Sequence, residues 1–545
     1  MSELGPSSGD VVPTDRLHFL QRTARSVAEI QPQVVSVDEV MVYLEVLGYN
    51  DRIAAMYGFE GLYDLARCVF EFTSFYDTKT PEEKAAGILV KSPFRRLAEG
   101  LGLSFAWLSS LLLLYATGIS FWMGWKIPLP DMSAIIVGAF LGVVMTEGTI
   151  QSFSRLFLLD YNQLNISGAK ITLERSYAAF LLILIPVLSL LFAAGAAASI
   201  PFQLVVISIL STASISWHRI SYLSIYALEK VKLLVISYSA AVLVLFVFFN
   251  FGSAYVPDVV TRYFASLGAA LVVLSISPFY LYYSIFVRKP KPSNASKAIH
   301  FFRQPRMSSD TLKSRFAVQV WEVLPYSLYG TFFFIMLFSD RVISWYYNPL
   351  KFAAGLPLLF NSVYHSGADT ALLVLFPVLF VQYALLGSIH AELSNRTQDL
   401  KMAEMHMIQE FLRVKYTRLM AATLAVAISI AGILITLAPT FVTSLGGSTA
   451  SVIVLRIAAL SNILISMFVA NAAFLSLLGR AKPLAIMAFV GAATVISGGI
   501  YFGSSAFQDT VFGYLAAASI VAIASTVYAS LLMEHADDIY FSRFS

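Results

Sequence analysis

Residues 419–437 read LMAATLAVAISIAGILITL, without one charged side chain. A helix rises about 1.5 Å per residue, so a run of this length crosses the roughly 30 Å hydrocarbon core of a bilayer. Similar runs lie near 101–125, 132–156, 176–199, 202–228, 233–251, 262–287, 317–343, 368–389, 452–478, 484–503 and 510–533. Together they make twelve expected spans, in two runs of six separated by a basic loop. Six is even, so both runs enter the bilayer in the same direction. The expectation is an all-α membrane protein of two parallel six-helix lobes, with a small N-terminal cytoplasmic helical region.

Composition agrees. The chain has 545 residues, 58% hydrophobic and 13% charged. Soluble globular proteins carry about 25% charged residues. The deficit falls after residue 100. Ser, Gly and Ala are frequent in the spans from 176 onward, and such residues let helices approach closely in lipid.

Lys and Arg in the short loops set the orientation. Loops after even-numbered spans hold Lys170 and Arg175, Lys230 and Lys232, Arg480 and Lys482, and the central loop holds eight basic residues between Arg288 and Arg315. Loops after odd-numbered spans hold only Lys126, Arg262 and Lys351. Both termini are therefore expected in the cytoplasm, and the protein in the cytoplasmic (inner) membrane. No signal peptide is expected, because the first insertable run starts near Leu101. Cys68 is the only cysteine, which excludes an intrachain disulfide.

The expected organisation is a flexible lead over 1–30, a helical cap over 31–95, an N-lobe over 96–287, a linker over 288–316 and a C-lobe over 317–545. Within the cap, Val40, Tyr43, Leu44 and Leu47 recur at helical spacing, as do Leu62, Leu65, Val69 and Phe70. The cap either packs on itself or docks a partner protein. No Gly-x-x-x-x-Gly-Lys-Ser/Thr occurs, so no ATPase is built in. No metal-ligand spacing or Ser-His-Asp pattern is apparent. No enzyme activity, cofactor or nucleic-acid partner is expected. Membrane lipids are the expected surroundings.

The two runs echo each other. Leu228-Glu229-Lys230-Val231-Lys232-Leu233 follows the fourth span and Leu478-Gly479-Arg480-Ala481-Lys482-Pro483 follows the tenth. Each is a tight dibasic turn at the same place in its half. Parallel repeats of this kind occur in two-lobed transporters.

Ionisable groups at membrane depth are costly and face a cavity or a partner. Glu147 lies mid-span in the second span, with Gln151 and Arg155 at i+4 and i+8 on one face. His218 and Arg219 lie past the middle of the fourth, where Ser211, Ser214, His218 and Ser221 share a face. Asp340 and Arg341 lie toward the outer end of the seventh, with Trp345 one turn later. Each could be a salt bridge or hydrogen bond inside the bundle, and Asp340–Arg341 could snorkel to the interface. The functional reading makes Glu147, Arg155, His218, Arg219, Asp340 and Arg341 the lining of a substrate path. Arginine would hold phosphate or carboxylate there, and a buried acid would carry a coupling ion.

The stretch Phe338-Ser339-Asp340-Arg341-Val342-Ile343-Ser344-Trp345 resembles the end of the seventh span in the Pel exopolysaccharide inner-membrane transporters (PelG-type), of the multidrug/oligosaccharidyl-lipid/polysaccharide (MOP) flippase superfamily. Phe376-Pro377 with Glu392, Arg456 with Leu478-Gly479-Arg480, and Asp537-Asp538-Ile539-Tyr540-Phe541 are similar too. The likeness runs over roughly 95–545, and the preceding residues depart from it. It implies two six-helix lobes around a cavity, a polysaccharide or lipid-linked glycan as cargo, and a complex with a cytoplasmic glycosyltransferase and other export subunits. A cation-coupled small-molecule antiporter and a scaffold that recruits a synthase are the alternatives.

Overall fold

Hydroxyl side chains within the helices bond back to their own backbone. Ser176 donates to Thr172 O at 2.8 Å, Ser275 to Leu271 O at 2.8 Å and Thr436 to Gly432 O at 2.8 Å. A helix in lipid has no water to turn to, so these internal bonds make Ser and Thr tolerable there. The computed structural model describes residues 19–20, 23–24, 26–27, 36–73, 93–162, 166–228, 230–287, 309–351, 356–399, 406–444 and 447–535.

Two compact units divide the chain at 89/90. The first contains α1 (Val37–Val46), α2 (Asp51–Met56) and α3 (Leu62–Thr73). Ser36 caps α1 by accepting from Glu39 N, and Asn50 caps α2 by accepting from Ile53 N. Val40, Leu44, Leu65 and Val69 form its core, and Leu20, Ala24 and Val27, from the stretch expected to be a flexible lead, are buried in it.

The second unit is the bundle. Spans two to twelve are Leu129–Leu158, Gly168–Ala197, Phe202–Ala227, Val231–Ala254, Val259–Val287, Val320–Tyr346, Ser362–His390, Met407–Thr443, Thr449–Leu477, Ala481–Gly503 and Phe507–Leu532. Most of the linker expected over 288–316 lies outside the described residues, and the seventh helix begins at Ser309.

The first span departs from expectation. Instead of one straight helix over 101–125 there are two, Phe94–Leu103 and Phe105–Thr117, bent by 62° at Ser104. Gly102 lies against Val231, where a Cβ would come within 2.2 Å of Val231 Cγ1, so the chain must turn there. Gly118, at φ +78°, ends the second piece. The next residues form a tight turn, with Ile119 paired to Gly124 and Ser120 Oγ accepting from Met123 N at 3.0 Å. The turn is anchored by Phe121 N donating to Ser110 Oγ at 3.2 Å and by Tyr263 OH donating to Phe121 O at 3.0 Å.

Helix pairings repeat between the halves. Spans two and four pack together, as do eight and ten. The same correspondence relates three–four to nine–ten, one–five to seven–eleven, five–six to eleven–twelve, and four–six to ten–twelve. Across the lobes, two packs on seven and the first helix of span one packs on eight. Contacts match residue by residue. Ser208 Oγ donates to Ala134 O at 3.0 Å, while a Cβ at Gly138 would meet Ser208 O at 2.3 Å. In the other half Ser451 Oγ donates to Val363 O at 2.7 Å, while a Cβ at Gly367 would meet Ser451 O at 2.4 Å. The dibasic turns match too: Lys230 N donates to Ile225 O at 3.0 Å and Arg480 N to Leu475 O at 2.9 Å. The two runs of six are structural repeats.

Candidate substrate cavity and its ion-pair clusters

Between the lobes, at the end bearing the loops after odd-numbered spans, lies a cavity of about 650 Å³. One wall comes from the first two spans and the turn between them. The other comes from spans seven and eight. Trp107, Trp122, Trp125 and Trp345, four of the six tryptophans in the chain, line it. Exposed Tyr115 and Trp125 stand at its mouth. Trp107 and Trp122 lie 4.9 Å apart between ring centroids, tilted by 39°, and Phe140 meets Phe338 edge-on at 5.9 Å. These rings, with Ala139 and Val143, form an apolar floor.

The opposite end is shut where spans two and seven meet. A Cβ at Gly148 would lie 2.6 Å from Ser327 Oγ, and one at Gly330 would lie 2.8 Å from Gln151 Cγ.

Arg341 forms the polar edge of the cavity with span eight. Its Nε donates to Asp369 Oδ1 at 2.8 Å, its Nη1 to Asp340 Oδ1 and Leu337 O at 3.0 Å each, and its Nη2 to Ala368 O at 3.0 Å. Tyr364 OH donates to the other oxygen of Asp340 at 2.6 Å. Asp369 Oδ2 is 2.7 Å from His365 Nδ1, and Trp345 Nε1 donates to His365 Nε2 at 2.9 Å. With Nε2 accepting, Nδ1 carries the hydrogen and donates to Asp369. Two carboxyl groups thus meet one guanidinium at this edge. Asp340 and Arg341 are buried and the Asp369 side chain is 38% accessible, so Asp369 is the carboxyl group that reaches the cavity. Of the two packing readings, Asp340 and Arg341 take the bond inside the bundle and do not snorkel: every polar atom that could reach for water has a partner inside.

A second pair lies deeper. Arg219 on span four bonds Glu147 on span two, and Gln151 Nε2 donates to the other Glu147 oxygen at 2.8 Å. The Arg219 guanidinium sits over the rings of Trp107, at 5.4 Å, and Phe334 of the other lobe, at 5.1 Å. Arg155 sits 5.6 Å over the Tyr326 ring on span seven. His218 faces Phe121 at 4.8 Å and Tyr238 at 5.5 Å between ring centroids.

Of the six residues expected to line a path, only Arg341 lines the cavity. Glu147, His218 and Arg219 lie buried beneath its floor, Asp340 lies behind Arg341, and Arg155 bridges the lobes at the shut end. His365 and Asp369 were missed. They fall at i and i+4 beside Ser362, Ser366 and Thr370, in a segment too polar to be recognised as the start of a span.

No protein-family model matches the sequence, and none of the curated proteins does. Solved structures do match in shape. A MOP superfamily transporter from Pyrococcus furiosus Vc1 superposes with a TM-score of 0.59 at 13% identity, over 82% of this chain and 98% of that one. An outward-facing multidrug resistance MATE family transporter gives 0.57 at 14% identity, over 82% and 97%. An inward-facing one gives 0.54 at 13% identity, over 81% and 94%. The fold is that of the MATE transporters of the MOP superfamily. Within this MATE-type fold the two lobes pack through spans two and seven and through one and eight, and the cavity lies on that seam.

Proposed function

We propose that this chain is a membrane transporter that exports an exopolysaccharide, or its lipid-linked precursor, across the cytoplasmic membrane. The observation that carries the reading is the cavity wall, where four indoles stand beside a hydrogen-bonding edge of Arg341, Asp369, Ser362 and Thr370. Sugar rings present apolar C–H faces and a rim of hydroxyls, and such a wall satisfies both. With basic loops inside, the cavity faces outward, which is the release side for an exporter. A cytoplasmic glycosyltransferase would feed the path, docked by the N-terminal unit, where Val46, Met56 and Tyr63 are exposed.

The test is carbohydrate secreted by cells whose only copy carries Trp107→Ala with Trp345→Ala. Secretion should collapse while the protein stays at its normal level in the membrane. Undiminished secretion would overturn the reading. A second reading, cation-coupled efflux of small molecules, draws on the accessible Asp369 carboxylate. It predicts ethidium efflux from vesicles that stops with Asp369→Asn or when the ion gradient is dissipated.

A further inference from the structure

The bend at Ser104 has no counterpart in the other half of the repeat. Span seven, which answers to span one, is a single helix from Ser309 to Tyr346. The repeat does not require the break, so the helix before it, Phe94–Leu103, serves something else. Three faces divide that helix. At 3.6 residues per turn Arg96, Gly100 and Leu103 fall together, and all three are buried. A Cβ at Gly100 would lie 3.1 Å from Tyr383 Cδ1 and 3.3 Å from Phe380 O, so this face rests on span eight. Phe94, Leu97, Ala98 and Leu101 form the second face, at i, i+3, i+4 and i+7. It is apolar throughout and open, with Phe94 80%, Leu97 40% and Leu101 44% exposed. Arg95 and Glu99 form the third, paired at 3.4 Å between Nε and Oε1, with the Arg95 side chain 68% accessible.

Axis and charge together say what covers the apolar face. With Phe105–Thr117 directed across the bilayer, the 62° bend turns Phe94–Leu103 closer to the membrane plane than to its normal. The helix also lies at the end of the bundle that bears the dibasic turns. Gly102 abuts Val231, and Lys230 and Lys232 on either side of Val231 are exposed. An apolar strip beside basic side chains, on a helix turned toward the membrane plane, is the arrangement of helices that lie in the headgroup layer of anionic bilayers.

We infer that Phe94–Leu103 is a membrane-surface helix that docks on acidic phospholipid. Phe94, Leu97 and Leu101 enter the acyl chains, while Arg95, Lys230 and Lys232 meet the phosphates. Acidic lipid is the partner that supplies acyl chains and phosphates together, as this pair of faces requires. The buried face rests on span eight of one lobe and Gly102 on span five of the other, so the docked helix also ties the lobes to each other at that surface. The assignment is independent of what the cavity carries.

Lipid-borne quenchers test it. Cys68→Ala removes the only cysteine, and Phe94→Cys or Leu97→Cys then places a bimane label on the apolar face of the full-length protein. Two reporter sites are used so that misfolding of one does not decide the matter, and monodispersity on gel filtration is required of each. The protein is reconstituted in phosphatidylcholine vesicles that contain a lipid with a nitroxide either just below the headgroup or near the chain end. The shallow nitroxide should quench more strongly than the deep one. Equal or stronger quenching by the deep nitroxide would set the helix across the bilayer, and no quenching by either would mean that protein covers the face. Both results would overturn the surface helix. At the same low mole fraction, a shallow nitroxide on phosphatidylglycerol should quench at least about threefold more effectively than one on phosphatidylcholine, because each basic residue near an anionic surface strengthens the attraction. That preference should vanish at about 1 M salt, where charges are screened within about 3 Å, and in Arg95→Gln with Lys230→Gln and Lys232→Gln. The depth contrast should remain in both cases. Equal quenching by the two lipids, or a preference that survives the salt and the triple variant, would overturn the acidic-lipid assignment.

Discussion

The indole N–H of Trp345 donates to His365 Nε2 at 2.9 Å, and this bond dictates which hydrogen the imidazole offers to Asp369. A residue on span seven thereby sets the orientation of the one accessible carboxylate on span eight. Trp345→Phe keeps the ring and removes the donor. It leaves Nε2 unpaired at a cost of about 1–3 kcal/mol and frees the imidazole to flip. Transport should fall severalfold with the protein level unchanged, measured as secreted carbohydrate per unit of membrane protein. Unchanged transport would show that Asp369 needs no fixed partner.

Arg341 satisfies four acceptors through three nitrogens, two of them carboxylates and two backbone carbonyls. Lysine has the charge but not the planar fork. Arg341→Lys should therefore lower stability, by less than the roughly 3–5 kcal/mol that removing one partner of a buried ion pair costs. A thermal melt in detergent reads this directly. A melt equal to that of the parent would mean that charge alone holds spans seven and eight.

The Glu147–Arg219 pair separates a packing role from a functional one. Either Glu147→Gln or Arg219→Met alone leaves its partner buried without a counter-charge. The double variant removes both. It should be more stable than either single variant by at least about 1 kcal/mol, because paired removal of buried charges is far gentler than breaking the pair. If the double variant folds and still fails to secrete, Arg219 acts on cargo. If it secretes normally, the pair serves packing alone.

The sequence showed the spans because a bilayer imposes a length and a polarity that few other environments require. The repeat was visible only in its turns, at Lys230 and Arg480. The Gly138–Ser208 and Gly367–Ser451 contacts that establish it join residues about 70 to 84 positions apart, and one sequence does not reveal such partners. The same holds for Glu147 with Arg219. His365 and Asp369 escaped notice for another reason. Hydropathy starts the eighth span at 368, yet the helix starts at Ser362, because a polar face turned to a cavity need not be apolar. His365 and Asp369 lie on that face. Likewise the apolar run over 101–125 hides a break, for which Gly100, Gly102 and Ser104 were the available signal.

The shut end of the seam offers the last test. Spans two and seven approach so closely that a Cβ at Gly148 would lie 2.6 Å from Ser327 Oγ. Arg155 over Tyr326 holds the same pair of helices, and Arg219 of span four over Phe334 ties span seven to the N-lobe beside them. If the lobes alternate, these contacts part once per cycle. Gly148→Cys with Ser327→Cys, in the Cys68→Ala background, brings two thiols within bridging reach across the seam. Mild oxidation should form the disulfide, stop transport, and leave the cavity open to thiol reagents at a reporter cysteine replacing Ser362. Reduction should restore activity. A cross-linked protein that transports at the parent rate would show that spans two and seven stay together throughout, and that cargo passes through a conduit that never opens along this seam.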